Sequence, residues 1–327
     1  MAPDADTGTL QRADPFLPLT SESLAVGDGH EIHVESVGRV GGIPAVYLHG
    51  GPGSGCQADH RRLFDPERFH AVLFDQRGAG RSRPKGAREH NTLAHLIADM
   101  ELIREKFAFE RWMVVGGSWG ATLALAYAQS HPDRVLGLML RATFLGTRKE
   151  LEAAFCETLP RFYPALNEDF LGALPADERE RPLDAYWRRI LDPDPGVHIA
   201  VARAWRDTEH ILSEHQPARA RLDLASLRSG GALPATPFME AHYFQSDCFL
   251  RPNQLLSEAG RLAHIPGIIV QGRYDLLCPP ATSHALAAVW PAAELRIIEA
   301  SGHMLYHPGI RNAVMRAIAD LASKVTK

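Results

Sequence analysis

Cysteine is scarce in this chain, with four residues, Cys56, Cys156, Cys248 and Cys278, among 327. They are widely scattered and form no CxxC pair. That speaks against a disulfide framework or a zinc site, and for a reducing compartment. Long apolar runs are missing too. Nothing approaches the roughly eighteen consecutive apolar residues of a membrane-spanning helix. There is no basic run, and the formal net charge is −4, so neither nucleic acid nor a membrane is expected as a partner. The first ten residues lack the basic and apolar stretches of a signal peptide. A cytoplasmic location is therefore expected. Internal repeats and low-complexity segments are absent. So are a GxGxxG turn opening a helix and a Walker lysine, which argues against nucleotide binding. No metal or other cofactor is expected.

The chain does have ample material for a core. Apolar residues make up 45% and charged residues 23%, as in a soluble globular protein. The length suits one large α/β domain, or a core with a smaller companion. Residues 1 to about 15 are polar and read as loose. Alternation over 21–37, around Asp28-Gly29, predicts a hairpin. Ala45-Val46-Tyr47-Leu48 and Ala71-Val72-Leu73-Phe74 are short continuous apolar runs, as expected of strands buried on both faces. Leu93, Leu96, Ile97, Met100, Ile103 and Phe107 recur at helical spacing. Further strands are expected at 112–115, 135–140, 268–270 and 295–298, and helices at 281–289 and 310–325. This alternation predicts a mostly parallel sheet with helices on both faces. Between 144 and 257 the alternation stops. Helical patterns interrupted by prolines take over, with a loop at Ser229-Gly230-Gly231. The expected organisation is a core of residues 1–143 and 258–327, with a helical cap of 144–257 lying over the sheet.

Ligands of such sheets bind beyond the carboxyl ends of the strands. Gly116-Gly117-Ser118-Trp119-Gly120 stands there, between an apolar run and a helix-favouring one. It fits the G-x-S-x-G elbow, which holds a serine hydroxyl out where a substrate can reach it. A serine needs a base, and the base needs an orienting acid. On this kind of sheet the acid and then the histidine follow the serine along the chain. Asp275, in Gly272-Arg273-Tyr274-Asp275, and His303, in Ser301-Gly302-His303, each follow a predicted strand. With sixteen histidines present, position singles out His303. His307 is a local competitor, but it precedes Pro308 and reads as the start of the last helix. The oxyanion of acyl transfer needs N–H donors. Trp119 offers one. The glycine-rich His49-Gly50-Gly51-Pro52-Gly53 offers another, assigned to Gly51 with Gly50 the near alternative. Asp75-Gln76-Arg77-Gly78-Ala79-Gly80-Arg81-Ser82 reads as support for these loops through Asp75 and Arg77.

These motifs together resemble the proline iminopeptidases of the α/β-hydrolase superfamily. The likeness rests on HGGPG at 49–53, DQRGAGRS at 75–82, GGSWG at 116–120, GRYD at 272–275 and SGHMLYHP at 301–308. Their order and spacing match from about Thr20 onward. The resemblance implies an α/β-hydrolase fold with an inserted helical cap. It implies a serine aminopeptidase that releases N-terminal proline from small peptides, with Ser118, His303 and Asp275 as its triad. Two cap motifs resemble the segments with which that family reads a free amino group, placing Glu209 and Glu240 in that role. Phe144 and Phe244 then match aromatic residues lining the proline pocket. Thr208 stands where the family usually has a second tryptophan, and Ala153-Ala154-Phe155 is less aromatic than its counterpart. An esterase or amidase with the same triad is the alternative reading. A non-catalytic binding protein of the same fold is a third.

Overall fold

The computed structural model describes residues 14–229 and 232–326. The polar start, up to residue 13, and the Gly230-Gly231 part of the expected loop lie outside the described residues. Eight strands form one sheet in the order β1-β2-β4-β3-β5-β6-β7-β8. They are β1 Thr20–Ala25, β2 Glu31–Gly38, β3 Ile43–Leu48, β4 Phe69–Phe74, β5 Trp112–Ser118, β6 Val135–Thr143, β7 Gly267–Gly272 and β8 Ala293–Ile298. β1 pairs antiparallel with β2, and β2 antiparallel with β4. Every other pairing is parallel. The predicted hairpin is β1–β2, with Asp28 and Gly29 both at positive φ in its turn.

Successive side chains of a strand point to opposite faces, and the core divides accordingly. Val46, Leu48, Val72, Phe74 and Val114 pack on one face, toward the helices Leu93–Lys106 and Trp119–Ser130. Ala45, Tyr47, Ala71, Leu73, Met113 and Val115 pack on the other. That second face is covered by the last helix, Pro308–Val325, through Ile310, Val314, Ala317, Ile318 and Leu321. The central strands are thus covered twice, which is why they read as unbroken apolar runs.

Between β6 and β7 the described chain is helical. Several prolines that looked like breakers are helix starts. Pro164, Pro182 and Pro195 open the helices Pro164–Gly172, Pro182–Ile190 and Pro195–Ser213. A first-turn N–H has no partner within the helix, so losing it there costs little. Pro160 is different. It follows a π-helical turn over Ala153–Thr158, the kind of widening found where a helix absorbs an irregularity. Among the described residues no helix is long and apolar enough to cross a membrane, and all four cysteines are unpaired.

Candidate active site

β5 ends on Ser118, whose φ of 57° and ψ of −126° lie outside the ordinary regions for a side-chain-bearing residue. The flanking glycines make this turn possible. A Cβ on Gly116 would lie 2.2 Å from the Gly120 carbonyl oxygen, and one on Gly120 would lie 2.2 Å from the Leu48 carbonyl oxygen. Only glycine lets strand, helix and β3 approach so closely.

Asp275 and His303 come from the loops after β7 and β8. His303 Nδ1 is 2.9 Å from Asp275 Oδ2 and 3.1 Å from Oδ1. Both residues are buried. Asp275 Oδ1 also accepts the N–H groups of Leu277 at 3.1 Å and Cys278 at 2.8 Å, which fixes the carboxylate. A carboxylate at Nδ1 puts the ring proton there and leaves Nε2 as the basic nitrogen. The His303 N–H donates to the Ser213 carbonyl at 3.2 Å, and its own carbonyl accepts from Arg141. Arg141 escaped sequence reading because β6, expected to stop at 140, runs on to Thr143.

Ser118, His303, Gly50, Gly51, Glu209 and Glu240 line one cavity of about 360 Å³. A smaller recess beside it is lined by Ser118, Gly51, Phe144, Phe155, Phe244 and Cys278. Phe144 and Phe244 meet edge to face, with centroids 5.8 Å apart. Phe155 stacks on Trp205 at 4.4 Å, so the plainer 153–155 segment still supplies an aromatic wall. Thr208 is buried and is not among the residues lining either space.

The glycine-rich loop is held from below. The Gln76 N–H donates to His49 Nε2 at 3.0 Å, and the Gln76 side-chain amide donates to the His49 carbonyl at 3.0 Å. Gln76 Oε1 accepts the indole N–H of Trp119 at 2.8 Å. One buried amide therefore joins the His49–Gly53 loop to the residue after the elbow. Because His49 Nε2 accepts, its proton sits on Nδ1, 2.9 Å from the Gly50 carbonyl. Burial holds this ring below its usual pKa, and thus neutral. Sequence reading missed Gln76, although its place between Asp75 and Arg77 at a strand end was the available signal. Asp75 accepts from the N–H of Cys56 at 2.6 Å, and from the N–H of Arg81 at 2.8 Å and its Nε at 2.9 Å. Arg77 is engaged elsewhere. It clasps Asp99 twice at 2.8 Å and donates to the carbonyls of Val26 and His90.

Glu240 lies on the helix Thr236–Phe244 and Glu209 on Pro195–Ser213. Glu240 is fully buried. Its Oε2 accepts the Trp205 indole N–H at 2.7 Å, while Oε1 meets no donor among the described residues. The Glu209 and Glu240 carboxyl groups lie within hydrogen-bonding reach of each other. Burial pushes the Glu240 carboxyl well above its ordinary pKa, and the neighbouring Glu209 charge adds to this. Burial raises Glu209 as well. Among the described residues, Asp28, His90 and His95 form the one group of three potential metal ligands. None of them lines the Ser118 cavity. The Arg77 guanidinium, 3.5 Å from Asp28 Oδ2, already serves as that carboxylate's cation.

A serine on a strained strand-to-helix turn, with a carboxylate and a histidine from later strand ends of a mostly parallel sheet, defines an α/β-hydrolase. The family model described as "alpha/beta hydrolase fold" matches residues 44–309. The chain is 42% identical over 303 residues to the proline iminopeptidase of Arabidopsis thaliana, covering 90% of this chain and 78% of that protein. It is 40% identical over 310 residues to the proline iminopeptidase of Neisseria meningitidis serogroup B, covering 93% and 96%. The crystal structure of a proline iminopeptidase from Mycobacterium smegmatis shares the fold, with a TM-score of 0.62 at 16% identity over 94% of this chain and 98% of that one. The chain belongs to the proline iminopeptidase family of α/β-hydrolases.

Proposed function

We propose that this protein is a serine aminopeptidase that hydrolyses the bond after an N-terminal proline of small peptides. The observation that carries the reading is one cavity holding Ser118 and His303 together with two glutamates, Glu209 and Glu240. A hydrolytic serine–histidine pair explains cleavage. A carboxylate pair explains recognition of a free amine, since an unpaired ammonium in a poorly hydrated pocket is strongly disfavoured.

Ser118 Oγ attacks the prolyl carbonyl and passes its proton to His303 Nε2. Asp275 holds the imidazole in the required tautomer and stabilises the imidazolium. The N–H groups of Trp119 and Gly51 receive the oxyanion. His303 then protonates the departing amine. Water, activated by the same nitrogen, releases proline from the acyl-enzyme. Phe144 and Phe244 offer aromatic faces to the pyrrolidine ring. In this reading the helical stretch 144–257 is the substrate-recognition cap. The scattered, unpaired cysteines support a cytoplasmic setting.

The test is a panel of aminoacyl arylamides, with N-acetylprolyl arylamide as control. Prolyl arylamide is the expected substrate, and the acylated control is expected to be inert. Ser118→Ala is expected to abolish turnover with circular dichroism unchanged. Equal turnover of acylated and free substrates would favour the esterase or amidase reading instead.

A further inference from the structure

Two carboxyl groups share the Ser118 cavity, and one has a buried oxygen that meets no donor among the described residues. In a poorly hydrated site two such groups do not both ionise, because like charges close together in low dielectric repel strongly. A nearby cation could relieve this. The charged and titratable groups lining the same cavity do not supply one. Arg206 donates to Asp207 through Nε at 2.9 Å and Nη2 at 2.7 Å. Arg141 is spent on the His303 carbonyl. Burial keeps His49 neutral and takes His60 down to about 4. His210, His303 and the phenols of Tyr47 and Tyr306 also line it. His303 favours the Glu209 charge, but burial outweighs it and the Glu209 carboxyl stays raised. The His303 ring is held by Asp275 through Nδ1.

We infer that Glu209 and Glu240 share one proton when the cavity is empty, and release it to solvent when an N-terminal prolyl ammonium binds. The inference rests on the function proposed above. The step breaks one carboxyl O–H bond, and the proton leaves to the buffer. The pair passes from a charge of −1 to −2 as a ligand of charge +1 arrives. The stoichiometry fits the ligand. A prolyl ammonium is secondary and carries two N–H bonds. Glu240 Oε1 accepts one and Glu209 the other, while Trp205 continues to hold Glu240 Oε2. A primary ammonium brings a third N–H for which the pair has no third carboxylate. Binding of proline is thereby linked to pH. While the pair is protonated, affinity rises about tenfold per pH unit.

The experiment is titration calorimetry of the Ser118→Ala protein with L-prolinamide at neutral pH, in phosphate and in Tris, whose ionisation enthalpies differ. The buffer dependence of the heat is expected to report about one proton released per ligand bound. Adding Glu240→Gln is expected to weaken binding and abolish the release. Binding without proton release overturns the inference and leaves the aminopeptidase reading standing. So does release that survives Glu240→Gln, because the proton then comes from another group. If the added substitution removes binding altogether, the pH slope of the Ser118→Ala protein decides, and a flat affinity between pH 6 and pH 8 overturns the inference. Failure of the folded Ser118→Ala protein to bind prolinamide, or equal binding of N-acetylprolinamide, defeats the aminopeptidase reading itself.

Discussion

Gln76 carries two contacts that no neighbouring residue can replace. Its amide serves the His49 carbonyl and the Trp119 indole at once, inside the core. Truncation would strand both groups, and each buried unsatisfied group costs about 1–3 kcal/mol. Gln76→Ala is therefore expected to lower stability by at least about 2 kcal/mol in urea unfolding. It is also expected to reduce kcat more than it raises KM, because the amide ties together the loop of Gly51 and the residue Trp119, whose N–H groups are the proposed oxyanion donors. A rise in KM with kcat unchanged would refute the link. Glu240 leads to a stability prediction with a definite sign. Its folded-state pKa is raised, so the folded protein binds the proton more tightly than the unfolded chain. Stability therefore falls as pH rises from the ordinary carboxyl range toward the raised value. Glu240→Gln removes that loss. Its melting temperature is expected to match wild type at low pH and to exceed it increasingly toward neutral pH. Parallel curves in calorimetry would show that Glu240 titrates normally.

The helix Pro195–Ser213 connects recognition to chemistry. It presents Glu209 to the cavity, and its last carbonyl, on Ser213, accepts the His303 N–H. Just past its end, Glu214 accepts the Tyr306 hydroxyl and lies 3.1 Å from His307 Nε2. The helix is thus fastened to the loop that carries His303 and to the start of the last helix. Glu214→Ala is expected to unfasten it. Misplacement of about 1 Å can cost up to about 10²-fold in rate, so kcat/KM for prolyl arylamide should fall by about tenfold or more. Faster proteolysis near residues 214–229 should accompany the loss. Unchanged kinetics would make this contact ornamental. No sequence pattern announces it, since its partners lie 92 and 93 residues apart. What was legible had local causes. Buried strands show as apolar runs, and Ser118, Asp275 and His303 each stand where such a run ends. Gln76, Arg141 and Glu214 act through tertiary contacts, which neither periodicity nor composition encodes. The proline-rich stretch misled for a related reason, because a proline at a first helical turn and one in a loop look alike without the caps.

At the scale of the molecule, fold and site meet where β3, β5 and the helix after Ser118 come together. The parallel sheet was legible because both its faces are covered. The helical stretch between β6 and β7 was legible too, as a break in the strand–helix alternation, but the contacts its helices make were not, because they depend on packing between segments far apart in the chain. The meeting point has little room. A Cβ on Gly120 would fall 2.2 Å from the Leu48 carbonyl oxygen and 3.1 Å from that of His49. The clash is with backbone, so no side-chain rotation relieves it. Either the helix moves off the sheet or β3 shifts, and the His49–Gly53 loop shifts with it. Gly120→Ala is therefore expected to destabilise by about 3 kcal/mol or more, at the upper end of overpacking effects, and to abolish activity in whatever fraction still folds. Gly172 provides the control. It also lies in a helix, yet an added Cβ there meets nothing within 4 Å. Gly172→Ala is expected to be neutral or stabilising by up to about 1 kcal/mol, through the reduced entropy of the unfolded chain. Equal responses at the two sites in urea unfolding would show that helix propensity, and not the close approach of elbow and sheet, sets the tolerance for a side chain at position 120.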